Sequence, residues 1–99
     1  MVYFAVVTTY QVEPAPRLEA RPRHRAYLAG LRQKGVVVLA GPWADGSGGL
    51  VIYAVADRAE LALILTKDPY VVAGVIERFD IREWTAVIDP ASPVKSPDS

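Results

Sequence analysis

The stretch VVVLAGPWADGSGGLVIYAVA, residues 36–56, decides the fold of this chain. It contains two runs of valine, leucine, isoleucine and tyrosine, separated by a polar segment that carries three glycines. Runs of β-branched and aromatic residues predict strands, and a short glycine-rich segment between two such runs predicts a hairpin. The middle of the chain is therefore expected to hold two consecutive antiparallel strands with no helix between them.

On each side of this hairpin the sequence predicts one further strand and one helix. VYFAVVTT, residues 2–9, has the composition of a strand. A helix is expected from near Arg21, or from a few residues before it, to near Lys34, because Pro22 suits a first helical turn and Gly35 follows. Asp57 is positioned to cap a second helix, and Asp68 a single turn closed by Gly74. A long last strand follows, over residues 75–88.

The order β-α-β-β-α-β predicts an α+β fold of the ferredoxin-like type, in which a four-stranded antiparallel sheet carries both helices on one face. We expect residues 1–88 to form this domain. Residues 89–99 contain three prolines and three serines, so they are predicted to form a flexible C-terminal tail.

The first three strands are apolar on both faces, yet two helices can cover only one of them. Val2, Phe4 and Val6 alternate with Tyr3, Ala5 and Val7 in the first strand, and the third strand behaves in the same way. An open face of this kind exposes more contiguous apolar surface than a monomer usually tolerates. We therefore expect a homodimer in which the open sheet faces pack together.

Composition narrows the classes of function. Eleven basic and eleven acidic residues cancel, so no global field favours nucleic acid or a membrane as a partner. The chain has no cysteine and one histidine, which makes a metal site improbable, and we expect no metal and no cofactor. The N-terminus lacks the basic region of a signal peptide, and a cytoplasmic protein is expected.

The single histidine lies at the polar end of an apolar helix stripe. His24 shares a helix face with Tyr27, Leu28 and Leu31 by its i, i+3, i+4 and i+7 spacing. Arg21 lies one turn earlier and can reach the same place, whereas Arg25 falls on another line and is expected to face solvent. His24 is then either an ordinary half-buried helix residue or the entrance of a site.

A proton-transferring histidine needs an orienting group on one nitrogen, and a carboxylate serves best. Spacing alone does not choose between the candidate acids, which are Asp45, Asp57, Asp68, Glu77, Asp80 and Glu83.

Among the aromatic residues, Trp43 and Tyr70 adjoin loops and are the best candidates for a pocket wall. The segment GPWADGSGG is not a phosphate loop, because it leads into a strand and lacks the Gly-Lys-Ser/Thr end.

Three segments together resemble the YCII-related (YciI-like) family: RPRHRAYLAGL, VVVLAGPWADGSGGLVIY and TKDPYVVAGVIERFDIREW. The marks are His24, the AGP of residues 40–42 and the DPYVVAG of residues 68–74. The resemblance covers about residues 2–87 and implies a dimeric α+β barrel. It also implies a pocket in each subunit with a histidine–aspartate pair as the proposed active site; by position these are His24 and Asp68, with Asp45 as the alternative acid.

The resemblance leaves the reaction open. One branch of the family is similar to a dehydrochlorinase that acts on a chlorinated hydroxyquinol, and related barrels include muconolactone isomerases and cofactor-free monooxygenases. The hypothesis is a cofactor-free lyase or isomerase in which His24 and Asp68 transfer a proton on a small cyclic or enolisable substrate. Substrate-binding residues would be Arg21, Trp43, Asp45 and Tyr70. The alternatives are a non-catalytic ligand-binding or regulatory homodimer and a haem-degrading or oxygen-using barrel.

Overall fold

The computed structural model describes residues 1–88; the predicted tail lies outside the described residues. Four strands form one antiparallel sheet in the order β2-β3-β1-β4, and two helices and a short helical turn complete the domain. This arrangement confirms the predicted α+β ferredoxin-like fold. The elements are β1 (Val2–Tyr10), α1 (Pro14–Gln33), β2 (Val37–Pro42), β3 (Gly48–Val55), α2 (Arg58–Thr66), α3 (Pro69–Val72) and β4 (Ile76–Trp84).

Helix α1 begins seven residues earlier than the sequence predicted. Pro14 occupies the start of the helix, where its missing N–H has no intrahelical partner to lose, and Pro22 lies inside the helix. Pro22 cannot donate to the carbonyl of Leu18, but Leu18 is half exposed and water can satisfy that carbonyl. The prediction treated Pro22 as a helix start, whereas here it is an interior proline at a solvated position.

The sequence predicts that Gly41 and Pro42 stop the second strand, but β2 includes both residues. Pro42 pairs with Gly49 of β3, and β2 is an edge strand with β3 as its only neighbour in the described sheet. An edge strand has one side without ladder hydrogen bonds, so a proline there loses no partner for its missing N–H. The added residues bring the hairpin loop next to the start of α1.

Two aspartates fix the starts of α2 and α3. The carboxylate of Asp57 accepts a hydrogen bond from the Glu60 N–H at 2.9 Å, and the carboxylate of Asp68 accepts one from the Tyr70 N–H at 2.9 Å. Asp68 has φ −65° and ψ 125°, the extended conformation that a following proline favours. Gly74 ends the turn at φ 70°, in the left-handed region that glycine adopts most easily.

The two faces of the sheet differ in what covers them. On one face, Phe4 and Val6 of β1 and Tyr53 and Val55 of β3 pack with Leu61 of α2, and all five are buried. Leu28 and Leu31 of α1 pack against the same cluster, as their spacing predicted. No helix of residues 1–88 covers the opposite face, and its outer strands expose Leu39 and Trp84. Within residues 1–88 no helix is both long and apolar enough to cross a membrane.

Candidate active site

A cavity of about 470 Å³ lies between α1, α3 and the helix-covered face of the sheet. Arginines and the histidine of α1 form one side of it, and residues of β1, β3 and β4 form its floor. The hairpin formed by β2 and β3 borders it with Trp43 and three glycines, Gly41, Gly46 and Gly49. This size is in the range of small-molecule sites, which span roughly 300–1,000 Å³.

His24 and Asp68 are brought together in this cavity. His24 Nδ1 lies 2.7 Å from Asp68 Oδ1, and both side chains are largely buried, with 15% and 8% of their surface exposed. Asp68 is the buried charged residue of the described chain. A buried carboxylate requires partners, and Asp68 has two, because the same Oδ1 also accepts from the Tyr70 N–H.

The contact fixes which nitrogen of the imidazole is available. An ionised carboxylate only accepts hydrogen bonds, so with Asp68 ionised the Nδ1 of His24 carries the proton. Among residues 1–88, Nε2 makes no hydrogen bond to the protein, and His24 lines the cavity. A neutral ring held in this way presents a lone pair at Nε2, which can accept a proton from a ligand.

Tyr70 holds the face of the imidazole. The two rings are stacked, with 3.7 Å between their centroids and 4° between their planes. Tyr70 is buried, and the ring of Tyr10 packs against it edge to face at 5.6 Å. The start of α3 therefore holds the imidazole in two ways: Asp68 forms a hydrogen bond with one edge of the ring, and Tyr70 stacks on one face.

The other predicted site residues divide into two groups. Arg21, Trp43 and Tyr70 line the cavity, and the structure thus gathers them around His24. Asp45 does not line it: its carboxylate accepts hydrogen bonds from the N–H and the hydroxyl of Ser47, at 2.9 and 2.6 Å. These two bonds lower the pKa of Asp45 and close the exposed tip of the hairpin. Asp45 is thus a turn-forming residue and not a neighbour of His24.

Sequence reasoning missed two arginines of the cavity. Arg17 lies one turn before Arg21 on the same face of α1. The sequence places Arg17 on that face only if the helix is known to begin at Pro14. Arg25 was expected in solvent; it is exposed, yet it also lines the mouth of the cavity. The i, i+4, i+8 spacing of the three arginines was readable in the sequence once the helix start was known.

Two tyrosines that line the cavity have hydroxyl groups with a raised pKa. Burial, then the negative charge of Asp68, raises the pKa of Tyr53 far above its ordinary value of about 10. Burial also raises the pKa of Tyr10, and the neighbouring Tyr70 adds to that shift. Both hydroxyls therefore remain protonated at neutral pH and can donate hydrogen bonds to a ligand.

The described residues offer no set of metal ligands. Within residues 1–88 no cluster of three or more His, Cys, Asp or Glu side chains is placed to hold an ion. Separately, His24 offers acid–base chemistry in this cavity, and the arginine and tyrosine groups around it are hydrogen-bond donors.

The βαββαβ order with one helix-covered antiparallel sheet defines a ferredoxin-like α+β fold. The model of the YCII-related domain matches residues 1–85, so the chain belongs to the YCII-related domain family. This match confirms the resemblance noted in the sequence. None of the curated proteins matches the chain in sequence.

Two solved structures are similar to this chain in fold. One is 5-chloro-2-hydroxyhydroquinone dehydrochlorinase from Burkholderia phenoliruptrix AC1100 in complex with 2,5-dihydroxybenzoquinone. It superposes with a TM-score of 0.76 and is 20% identical, over 84% of this chain and 93% of that one. The other, an antibiotic biosynthesis monooxygenase, has a TM-score of 0.55 and 14% identity, over 89% of this chain and 100% of that one.

Proposed function

We propose that this protein is a small lyase or isomerase that transfers a proton with His24 and Asp68 and uses no metal or organic cofactor. The observation that carries the proposal is the 2.7 Å contact between His24 Nδ1 and Asp68 Oδ1, which leaves Nε2 as the imidazole nitrogen without a hydrogen-bond partner among residues 1–88. The dehydrochlorinase of similar fold acts on a chlorinated hydroxyhydroquinone, which is a small oxygenated ring. A substrate of that general kind, cyclic and enolisable, fits the size of this cavity.

In the proposed mechanism, Nε2 of His24 takes a proton from a carbon next to a carbonyl or from a ring hydroxyl. The ring then carries a positive charge, which the carboxylate of Asp68 stabilises at Nδ1. Negative charge develops on the substrate oxygen, and Arg21 stabilises it. In a lyase the electron pair then forms a double bond as a leaving group departs with its own pair. In an isomerase Nε2 returns the proton to another carbon.

The test compares His24→Gln, Asp68→Asn and Arg23→Gln with the wild type on chlorinated hydroxyquinols and enolisable lactones. Arg23 is the control, because it lies on α1 but pairs with Glu19 away from the cavity. Chloride release and deuterium incorporation from D2O are measured. We expect His24→Gln to lower turnover by at least about 100-fold, the usual contribution of a general base, and Arg23→Gln to leave it unchanged.

Two results would contradict the proposal. Turnover by His24→Gln at the wild-type rate would exclude the histidine as the base. Tight ligand binding by the wild type with no turnover of any tested substrate would favour the alternative, a non-catalytic ligand-binding or regulatory protein. The arginines of the cavity give that alternative its support, since they would hold an anion with or without a reaction.

We further propose that two copies of the chain pack through the open face of the sheet, with a cytoplasmic location as expected from the sequence. The open face carries Tyr3, Ala5 and Val7 of β1, which are partly exposed, beside Ile52 and Ala54 of β3, which are buried within the single chain. Leu39 is 68% exposed and Trp84 is 43% exposed on the strands that flank these residues. Arg78, Asp80 and Arg82 of β4 give this face a polar rim, which is typical of a protein interface.

A further inference from the structure

Three arginines of α1 face the candidate active site. Arg17, Arg21 and Arg25 are spaced by four residues, so they follow one another along one face of the helix, and all three line the cavity. Arg23 and Arg32 belong to the same helix but do not line it. The basic residues of α1 are thus divided between a cavity side and a solvent side.

The arginines of the cavity side have no acidic partner in residues 1–88. The arginine ion pairs of the described chain join Arg23 to Glu19 and Arg82 to Asp80. Like charges four residues apart destabilise a helix, and cations are unfavourable near its N-terminus. The first turn of α1 carries no acidic residue, and Glu13 at its N-cap makes no side-chain capping hydrogen bond. Residues that destabilise their own helix are expected where they bind a ligand.

A chain of ring contacts connects these arginines to the histidine. The guanidinium carbon of Arg17 lies 5.1 Å from the centroid of the Tyr10 ring, in a cation–π contact. Tyr10 packs edge to face against Tyr70, and Tyr70 stacks on His24. An anionic group held by Arg17 and Arg21 is therefore placed in the same cavity as Nε2 of His24, against a wall of aromatic rings.

We infer that the ligand of this cavity is a planar ring that carries a carboxylate or an equivalent anionic group, bound by Arg17 and Arg21. The cavity contains three guanidinium groups against one carboxylate, and that carboxylate, Asp68, is already bonded to His24 and to the Tyr70 N–H. A guanidinium binds a carboxylate or phosphate through two parallel hydrogen bonds. The aromatic wall, with Trp43 at its open side, suits a flat ring. This inference rests on the proposed function for the location of the ligand site.

The test is calorimetric binding of benzoate, phenyl phosphate, inorganic phosphate and the neutral isostere benzamide, which requires no turnover. We expect benzoate or phenyl phosphate to bind at least about 10-fold more tightly than benzamide, since a hydrogen bond to a charged group is lost with the neutral ring. Arg17→Gln and Arg21→Gln should each weaken anion binding by roughly 10-fold. Arg23→Gln removes the same charge from the solvent side of α1 and should bind like the wild type.

Several outcomes would overturn the inference. Equal binding of benzamide and benzoate would remove the need for a charge, and inorganic phosphate binding as tightly as phenyl phosphate would remove the need for a ring. Equal losses in Arg23→Gln and Arg21→Gln would indicate a general field instead of a site. Failure of both anions to bind at millimolar concentration would also contradict it. The relative strength of benzoate and phenyl phosphate tells which anionic group the site prefers.

The result is separable from that of the proton-transfer test through His24→Gln. Benzoate binding by both wild type and His24→Gln, with no turnover by either, would support the anion site and contradict the proposed reaction. Turnover of a neutral lactone without binding of any anionic ring would contradict the anion site and support the proposed reaction.

Discussion

The imidazole of His24 lies flat on the phenol ring of Tyr70, with 3.7 Å between centroids and 4° between planes. The same turn of chain supplies Asp68, whose Oδ1 accepts from both the imidazole Nδ1 and the Tyr70 N–H. Residues 68–70 therefore hold the ring at an edge and at a face with one helical turn. The Asp-Pro-Tyr sequence makes this possible, because the proline keeps Asp68 extended and itself begins the turn that carries Tyr70.

Replacing Tyr70 by leucine should remove the ring that stacks on the imidazole of His24. We expect the His24 ring protons to move downfield in the NMR spectrum of Tyr70→Leu, because the ring current of the phenol is lost. Tyr70→Phe keeps the ring and should leave those resonances in place. The leucine variant should also be less stable than the phenylalanine variant by about 1 kcal/mol, the contribution of an aromatic pair. Unchanged His24 resonances in Tyr70→Leu would contradict the stacking.

Asp68 should contribute more to stability than an ordinary helix cap. Asp68→Ala removes a cap worth about 1 kcal/mol and a charge-assisted hydrogen bond worth about 1.5–3 kcal/mol. Asp57→Ala is the matched control, since Asp57 caps α2 through the same kind of bond but has no histidine partner; its loss should be about 1 kcal/mol. Urea denaturation measures both. Equal losses would show that the contact with His24 adds nothing to stability.

Stability should fall at alkaline pH, in part through Tyr53. The pKa of Tyr53 is raised in the folded state. The stability that its neutral phenol contributes is therefore complete below the pKa of the unfolded state, about 10, and is lost as the pH rises above that value. A single such group changes the free energy of unfolding by at most about 1.4 kcal/mol per pH unit. Tyr53→Phe should make the decrease between neutral pH and pH values above about 10 shallower. Identical slopes for the two proteins would contradict the burial of this phenol.

Any side chain at Gly48, where β3 pairs with β1, should lower the stability of the fold. A Cβ at this position would overlap the carbonyl oxygen of Thr8, whereas at Gly41 it would meet no atom within 4 Å. Gly48→Ala should therefore destabilise the fold by about 1–3 kcal/mol or more, the usual cost of forced overpacking. Gly41→Ala should stay within about 0.5 kcal/mol of the wild type. Thermal or urea unfolding measures the difference, and two equally stable variants would contradict the close approach.

The proposed dimer should be sensitive to charge on the open sheet face. Ala5 lies on that face between Ile52 and Arg82, so Ala5→Arg adds a cation with no acid directly opposite. A buried unpaired charge costs about 3–5 kcal/mol, which should raise the dimer dissociation constant by at least about 100-fold. Val12→Arg is the control, because Val12 is 91% exposed and lies outside the sheet. Sedimentation equilibrium measures the masses; a monomeric wild type would contradict the dimer.

The fold and part of the site could be predicted because their causes are local. Strand composition, the glycine-rich hairpin and the capping aspartates Asp57 and Asp68 each act within a few residues, and together they determined the element order. The stripe of Leu28 and Leu31 was predicted from helical spacing and packs on the core. The start of α1 was missed, because an interior proline at an exposed helix position resembles a helix start in sequence.

By itself the sequence determined the βαββαβ order, the two-faced apolar sheet and the placement of His24 at the polar end of a helix stripe. Only the tertiary structure decided which carboxylate meets the imidazole, since Asp68 and His24 are 44 residues apart and Asp45 is held by its own turn. It also decided that Arg17 and Arg25 reach the cavity. Local interactions are encoded in neighbouring residues, whereas contacts across the fold depend on how α1, α3 and the sheet pack together.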